Sequence, residues 1–401
     1  MDKIIEAAFS LMRLTRTNLV FYIKEFIMKK YIILTLILFS CVVFVSASEW
    51  EQISKIVASD RGANDYFGYS LAISDNFAII GSYREDHNVS GVDSLHDAGA
   101  AYIFTLSEGA WIPMQKIVAS DRAENDEFGS SVAISGNYAI VGAQNQDTDE
   151  NSLNPSTDAG AAYIFFFNGS TWVQEQKIVT SNRQPNRFIG HSVSISGNYA
   201  ILGSHRDDED ANEENMITDA GAAYIFYRNE LSWVQQQKIV ATDRSSYDNV
   251  GNAVAISGDY AVIGAWQQNT DLSGVNALSG AGAAYIFKNN GSTWIQQQKI
   301  IASDRDVSDH FGCSVAISND HIIVGAYGED EDASGSNTLL TAGSAYIFER
   351  AVNTWNLKQK IVADDRSESS WFGNSVAISG NNAIVGAFRE LYNRGTAYTF
   401  S

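Results

Sequence analysis

Three short stretches of this chain carry carboxylates close enough to share a cation. They are Asp147, Asp149 and Glu150; Asp207, Asp208 and Asp210; and Asp330, Glu331 and Asp332. Calcium takes six to eight oxygen ligands, and adjacent acidic side chains can supply several. These nine residues are therefore the low-affinity calcium candidates. The competing reading is solvated loop charge that keeps an acidic protein soluble. Their spacings differ, and the corresponding fourth segment holds only Asp271. The histidines, His87, His96, His191, His205, His310 and His321, share no common spacing, so no ring of imidazoles is expected. His87, His96 and His205 read as surface residues of variable loops. The chain has no H-E-x-x-H, no G-x-S-x-G and no paired-cysteine metal spacing, and an enzyme is not expected.

Two further groups could make contacts. Trp266 and Trp371 break the pattern around them, and tryptophan is enriched at binding hot spots. They are the ligand-contact candidates, although Trp371 adjoins a Phe-Gly pair and reads equally as core. An Asp-Arg pair recurs at Asp60-Arg61, Asp121-Arg122, Asp243-Arg244, Asp304-Arg305 and Asp365-Arg366, with Asn182-Arg183 in the remaining place. Such arginines could meet an anion or could hydrogen-bond neighbouring carbonyls; the second, structural role is preferred. Asn88, Asn168 and Asn290 each open an N-x-S triplet, the acceptor pattern for N-glycosylation in a eukaryotic secretory pathway.

What positions these residues is a repeat of 61 residues. It is marked by Lys55, Lys116, Lys177, Lys238, Lys299 and Lys360, each five residues after a tryptophan, from Trp50 to Trp355. Glycines recur with the same period, from Gly68 to Gly373 and from Gly81 to Gly386. Such self-similarity signals a repeat architecture. In the second copy, Trp111–Val118, Glu127–Ile134, Tyr138–Ala143 and Ala161–Phe165 all read as strands, and Ser135-Gly136-Asn137 as a tight turn. Pro113 fits an edge strand. The fold class is all-β.

A sheet that is apolar on both faces needs a neighbour on each. Closing the copies into a circle supplies one to every sheet. The expectation is a six-bladed β-propeller of four-stranded blades. Its ring is closed by pairing the N-terminal strand, Trp50–Ala58, with the C-terminal blade that ends at Gly395–Phe400. Deleting residues 49–60 should then open the ring.

These residues resemble the FG-GAP repeat family, whose best-known members are the N-terminal propellers of integrin α subunits. The Phe-Gly pair stands at Phe67-Gly68, Phe128-Gly129, Phe311-Gly312 and Phe372-Gly373, and becomes Ile189-Gly190 and Val250-Gly251. Gly-Ala stands at Gly142-Ala143, Gly264-Ala265, Gly325-Ala326 and Gly386-Ala387, with serine second at Ser82 and Ser204. The proline that ends the family motif is missing from every copy. The interval that holds a D-x-D-x-D-G-like calcium loop in some members is here a tight turn. The resemblance implies a propeller and a binding role; the integrin calcium sites and ligand specificity do not carry over.

The net charge of −20 lies mostly in the long loops between third and fourth strands of each copy, counting from the tryptophan strand. An acidic rim disfavours DNA or RNA as a partner, since phosphate binding needs a basic footprint. Residues 1–27 read as an upstream extension. Residues 28–47 read as a signal peptide, with Met28-Lys29-Lys30 before an apolar run that ends at Val45-Ser46-Ala47. Residues 48–401 form the propeller. Cys41 faintly matches a lipid-attachment box, and Cys313 is the one cysteine beyond the signal. The expectation is a monomeric, secreted or cell-surface binding or adhesion module. It recognises a protein or glycan through propeller loops, has no certain cofactor beyond possible calcium, and does not span the membrane after cleavage. The alternatives are a hydrolase using loop carboxylates at one propeller end, and a calcium-dependent structural protein.

Overall fold

Short strands run from Leu71 to Phe400, and in the first five blades the second and third strands are buried along half of their length or more. In the computed structural model, which describes residues 55–230, 232–390 and 394–401, twenty-three strands form six antiparallel sheets arranged as a β-propeller. The expectations for residues 1–54, including the upstream extension, the signal and Cys41, lie outside the described residues. In the second blade the strands are Phe128–Ser135, Tyr138–Ala143, Ala161–Phe167 and Trp172–Ile178, hydrogen-bonded in sequence order. From here strands are counted within such a blade, so the tryptophan strand is the fourth and outermost. Gly136 and Asn137 make a two-residue hairpin, with Ser135 paired to Tyr138 and Gly136 at φ 55°, the left-handed conformation such turns require. Pro113 lies on an outer strand, exposed, at a bulge opposite Phe104, where its missing N–H removes least.

Alternation sends neighbouring residues to different blade interfaces. Val132, Ile134 and Val141 pack with Ile79, Ile103 and Ile117 of the first blade. Ile140 and Ile164 pack with Val193, Leu202 and Tyr224 of the third. Each such aliphatic side chain contributes about 1.5–3 kcal/mol on full burial. The same arrangement repeats through the later blades.

Polar bonds repeat with it. Gln115 clasps the next blade's tryptophan backbone. Its Nε2 donates to Trp172 O and its Oε1 accepts from Trp172 N, both at 2.8 Å. Gln176, Gln237 and Gln298 do the same to Trp233, Trp294 and Trp355. Parallel bridges join Gly99 to Phe128, Gly160 to Ile189, Gly221 to Val250, Gly282 to Phe311 and Gly343 to Phe372.

Among the described residues, five sheets have four strands and the last has three, Phe372–Ser379, Asn382–Ala387 and Thr396–Phe400. The strand expected to complete it, Trp50–Ala58, begins outside the described residues. Residues 56–58 form no ladder, and Ala58 packs with Tyr102 and Phe104. Among the described residues the strands of the last blade do not pack against those of the first, and the five bridges have no counterpart there, so the expected closure of the ring by Trp50–Ala58 is not seen. Leu71 and Ile73, the equivalents of buried Val132 and Ile134, are there 70% and 63% exposed.

Candidate functional site

The hairpins occupy one end of the propeller. The other end collects the long acidic loops, the loops that follow each fourth strand, and the mouth of the channel around which the first strands gather.

The acidic loops hold themselves in shape. Asp332 Oδ1 accepts the N–H groups of Ser334 (2.8 Å) and Ser336 (3.2 Å), and Asn337 donates to its other oxygen. Asp149, Asp210 and Asp271 repeat this with Asn154, Asn215 and Asn276. These bonds to the charged form hold the carboxyls of all four low, Asp210 at about 2. Asp147, Asp208 and Asp330 each accept a backbone N–H eleven residues on. Asp207 pairs with Lys238 and Tyr224. Glu150 is exposed, and Glu331 is pushed up to about 7 by its hydrogen bond to Glu329. Each trio of calcium candidates is thus divided among loop bonds. Among the described residues, no three His, Cys, Asp or Glu side chains converge as a metal site.

Five of the six recurrent arginines, all but the exposed Arg61, take the structural role. Arg183 donates to Asp147 O (2.5 Å) and Asn154 O (2.9 Å) of the preceding blade. Arg122, Arg244, Arg305 and Arg366 make the equivalent pair of bonds. Asn88, Asn168 and Asn290 accept the N–H and O–H of the serine two residues later, so turn chemistry alone suffices to explain those triplets. A cleft of 920 Å³ between the second and third blades is lined by Lys177, Arg183, Gln176 and Gln235. All four are bonded to neighbouring loops or blades, which leaves the cleft few free polar groups.

The channel mouth is different. Three positions per blade face it: the residue before the Phe-Gly pair, the residue after it, and the residue after Gly-Ala. Trp266 and Trp371 occupy two of these positions, and the structure joins them in one strip. Trp266 meets His310 at 4.9 Å between ring centroids, His310 meets Tyr327 at 4.8 Å, Tyr327 meets Trp371 at 4.8 Å, and Trp371 meets Phe388 at 5.3 Å. Tyr66, Tyr69 and Tyr83 form a second aromatic group on the first blade. Blades two to four supply a polar arc. Gln144 donates to Glu127 (2.7 Å) and accepts from His191 Nδ1 (2.7 Å), while Asn252 donates to Cys313 O at 3.1 Å.

One expectation is corrected here. His205 is not a surface loop residue. It follows the Gly-Ser pair at the end of a second strand, which aims it at the mouth. There it packs on His191 at 4.3 Å and Phe188 at 5.9 Å. Burial lowers it to about 3 and lowers His191 as well, so both rings are neutral near pH 7.

Backbone strain marks the same ring. Tyr66, Glu127, Phe188, Asn249, His310 and Trp371, each just before the Phe-Gly pair, all have φ between 53° and 58°. Outside glycine and asparagine this region costs of order 1–2 kcal/mol. The chain holds them there with backbone bonds from the preceding loop, such as Phe188 N to Asp158 O (3.0 Å) and Trp371 N to Thr341 O (3.2 Å). Asparagine suits this backbone best, yet four copies carry an aromatic ring. The backbone conformation alone does not account for that choice. The sequence held this signal in register: reading each mouth position down the six copies would have added Tyr66, Phe188, His310, Tyr327 and Phe388 to the two tryptophans.

Three buried acids give the fold a pH dependence. Asp126, Asp248 and Asp309 sit in equivalent loops, and burial raises each to about 7. A carboxyl with a higher pKa folded than unfolded contributes stability that is complete below about pH 4 and lost as pH rises through about 7. Melting is therefore expected to occur several degrees lower at pH 8 than at pH 5. Asp126→Asn should remove part of that difference in a melting series across pH.

A family model described as FG-GAP repeat matches residues 50–104, 111–165, 172–226, 233–287, 294–348 and 355–400. Comparison with curated proteins returned no match.

Proposed function

The chain belongs to the FG-GAP repeat family, and from that premise we propose that it is a secreted or cell-surface binding module that engages a protein or glycan with its channel-mouth face. One observation carries this reading. Six copies keep the same scaffold, while the residues around the mouth vary from copy to copy and include a continuous strip from Trp266 to Phe388. Tyr66, Tyr69 and Phe388, on the first and last blades, are 49%, 62% and 49% exposed, and exposed aromatics are what a partner buries. No helix among the described residues is long and apolar enough to cross a membrane.

The test is retention of the purified chain on the host's cell-surface fraction. Trp371→Ala and Trp266→Ala are each expected to weaken retention about tenfold or more, as hot-spot truncations do, with the melting temperature nearly unchanged. Equal retention of both variants would refute the assignment.

A further inference from the structure

Two sets of arginines point toward this end of the molecule, and only one is used by the fold. Arg122, Arg183, Arg244, Arg305 and Arg366 are bonded to loop carbonyls. Arg84, Arg206 and Arg389 form the other set. Each follows a mouth aromatic, Tyr83, His205 or Phe388, at a repeat position that is Asn145, Gln267 or Gly328 elsewhere. Each stacks on mouth rings. Arg389 lies 3.6 Å from the Trp371 ring centroid, Arg206 lies 5.0 Å from Phe188, and Arg84 lies 5.2 Å from Tyr66 and 5.3 Å from Tyr83. Arg206 and Arg389 are exposed, and neither has an ion pair among the described residues. Arg84 has only a loose one, 3.7 Å from Asp97.

A guanidinium stacked by its face keeps its in-plane N–H groups free, and that planar fork matches a carboxylate. Resting on the mouth reading above, we propose that the channel mouth binds a sugar residue bearing a carboxylate, as in an acidic oligosaccharide. The carboxylate takes an arginine fork. The apolar face of the pyranose lies on the Trp371–Tyr327 strip. Hydroxyls meet the amide and imidazole arc of Gln144, His191 and Asn252. The acidic loops decide against an acidic protein surface, which would have to lie across them with like charges opposed. Their capping carboxylates are turned into their own N–H groups, and salt screens them over about 8 Å, so a small anion inside the ring is spared most of that repulsion.

Titration of the full chain with tetragalacturonate and with 3′-sialyllactose tests this, against methyl-esterified tetragalacturonate and lactose as neutral partners. Tryptophan fluorescence and calorimetry are the readouts. At least one acidic probe is expected to bind about tenfold or more tightly than its neutral partner, and which of the two does so separates a uronic acid from a sialic acid source. Arg389→Ala and Arg206→Ala should each lose about tenfold, the usual size for a charge-assisted contact, with melting unchanged. Arg389→Lys should recover only part, because lysine lacks the fork. Equal binding of neutral sugars, no binding of either acid, or full binding by Arg389→Ala overturns the proposal. If acids fail while Trp371→Ala still abolishes retention on the cell-surface fraction, the ligand class is wrong and the mouth reading stands. If both fail, both fall.

Discussion

Gly282→Ala is expected to prevent the fourth and fifth blades from docking and to remove the cooperative melting transition. Gly282 has φ +85°, and a Cβ there would lie 2.0 Å from Phe311 O and 2.5 Å from Phe311 N. The obstacle is backbone, and Phe311 is fully buried, so nothing can swing aside. Relief requires the blades to part, which undoes the Gly282–Phe311 bridge and the packing of Val262, Ile286 and Tyr346 between them. Whole-domain stabilities are about 5–15 kcal/mol, and losing one interface consumes most of that. Gly291→Ala is the control: its φ is +97° with nothing within 4 Å of the new Cβ, so it carries backbone strain of about 1–2 kcal/mol and no clash. Similar melting of the two variants would show that close blade approach is not what this glycine provides.

Most of the scaffold was visible in the sequence, although Gly282, which recurs with Gly99, Gly160, Gly221 and Gly343, lies outside the two glycine sets that marked the repeat. Trp, Lys, Phe-Gly and Gly-Ala at a fixed period placed the strands, because one blade's geometry must recur for blades to stack. Periodicity could not say what the second glycine of each Ala-Gly-Ala stretch faces; that depends on a neighbouring blade. The candidate site was half legible. Trp266 and Trp371 stood out as departures, but their adjacency did not, since His310 and Tyr327 bridge them from two other stretches of chain. The acidic trios misled more. Clustered carboxylates look alike in sequence whether they await a cation or cap a turn, and the deciding feature, Asn five residues after each capping Asp, speaks only when its side chain is seen bonded.

The repeat also separates what the scaffold needs from what the mouth is free to vary. Under the acidic loops each of the first five blades holds a tyrosine, a lysine and acids in one cluster. Lys177 meets Asp121 at 2.7 Å and Tyr163 donates to the same carboxylate at 2.9 Å. Lys116, Lys299 and Lys360 do likewise with Asp60, Asp243 and Asp304. With the loops anchored this way, residues at the mouth can change from blade to blade without moving the frame. A strained aromatic such as Phe188 is tolerable because the loop whose carbonyl accepts its N–H is fixed.

The third blade departs from this cluster, and there a single change should cost most. Asn182 replaces the usual aspartate, and the lysine's counter-ions come instead from the second-to-third strand loop. Lys238 Nζ lies 3.0 Å from Asp207 and 3.7 Å from Glu209, and the side chains of Lys238 and Asp207 are 3% and 1% exposed. Lys238→Met keeps the aliphatic stem and removes the charge. It leaves Asp207 buried without its ion-pair partner, while Glu209 keeps Arg187 at 3.8 Å, and breaking a buried pair costs about 3–5 kcal/mol. The same substitution at Lys299 should cost less, because its ion-pair partner Asp243 is 34% exposed and water can take over part of the loss. If the uncompensated carboxylate is the cause, adding Asp207→Asn to Lys238→Met should restore much of the stability, because the amide oxygen of the new side chain still accepts the Tyr224 hydroxyl. Denaturant melts of the single and double variants decide it. A double variant no more stable than Lys238→Met would locate the loss in packing around the lysine stem, and the charge cluster would lose its standing as the anchor of the loops.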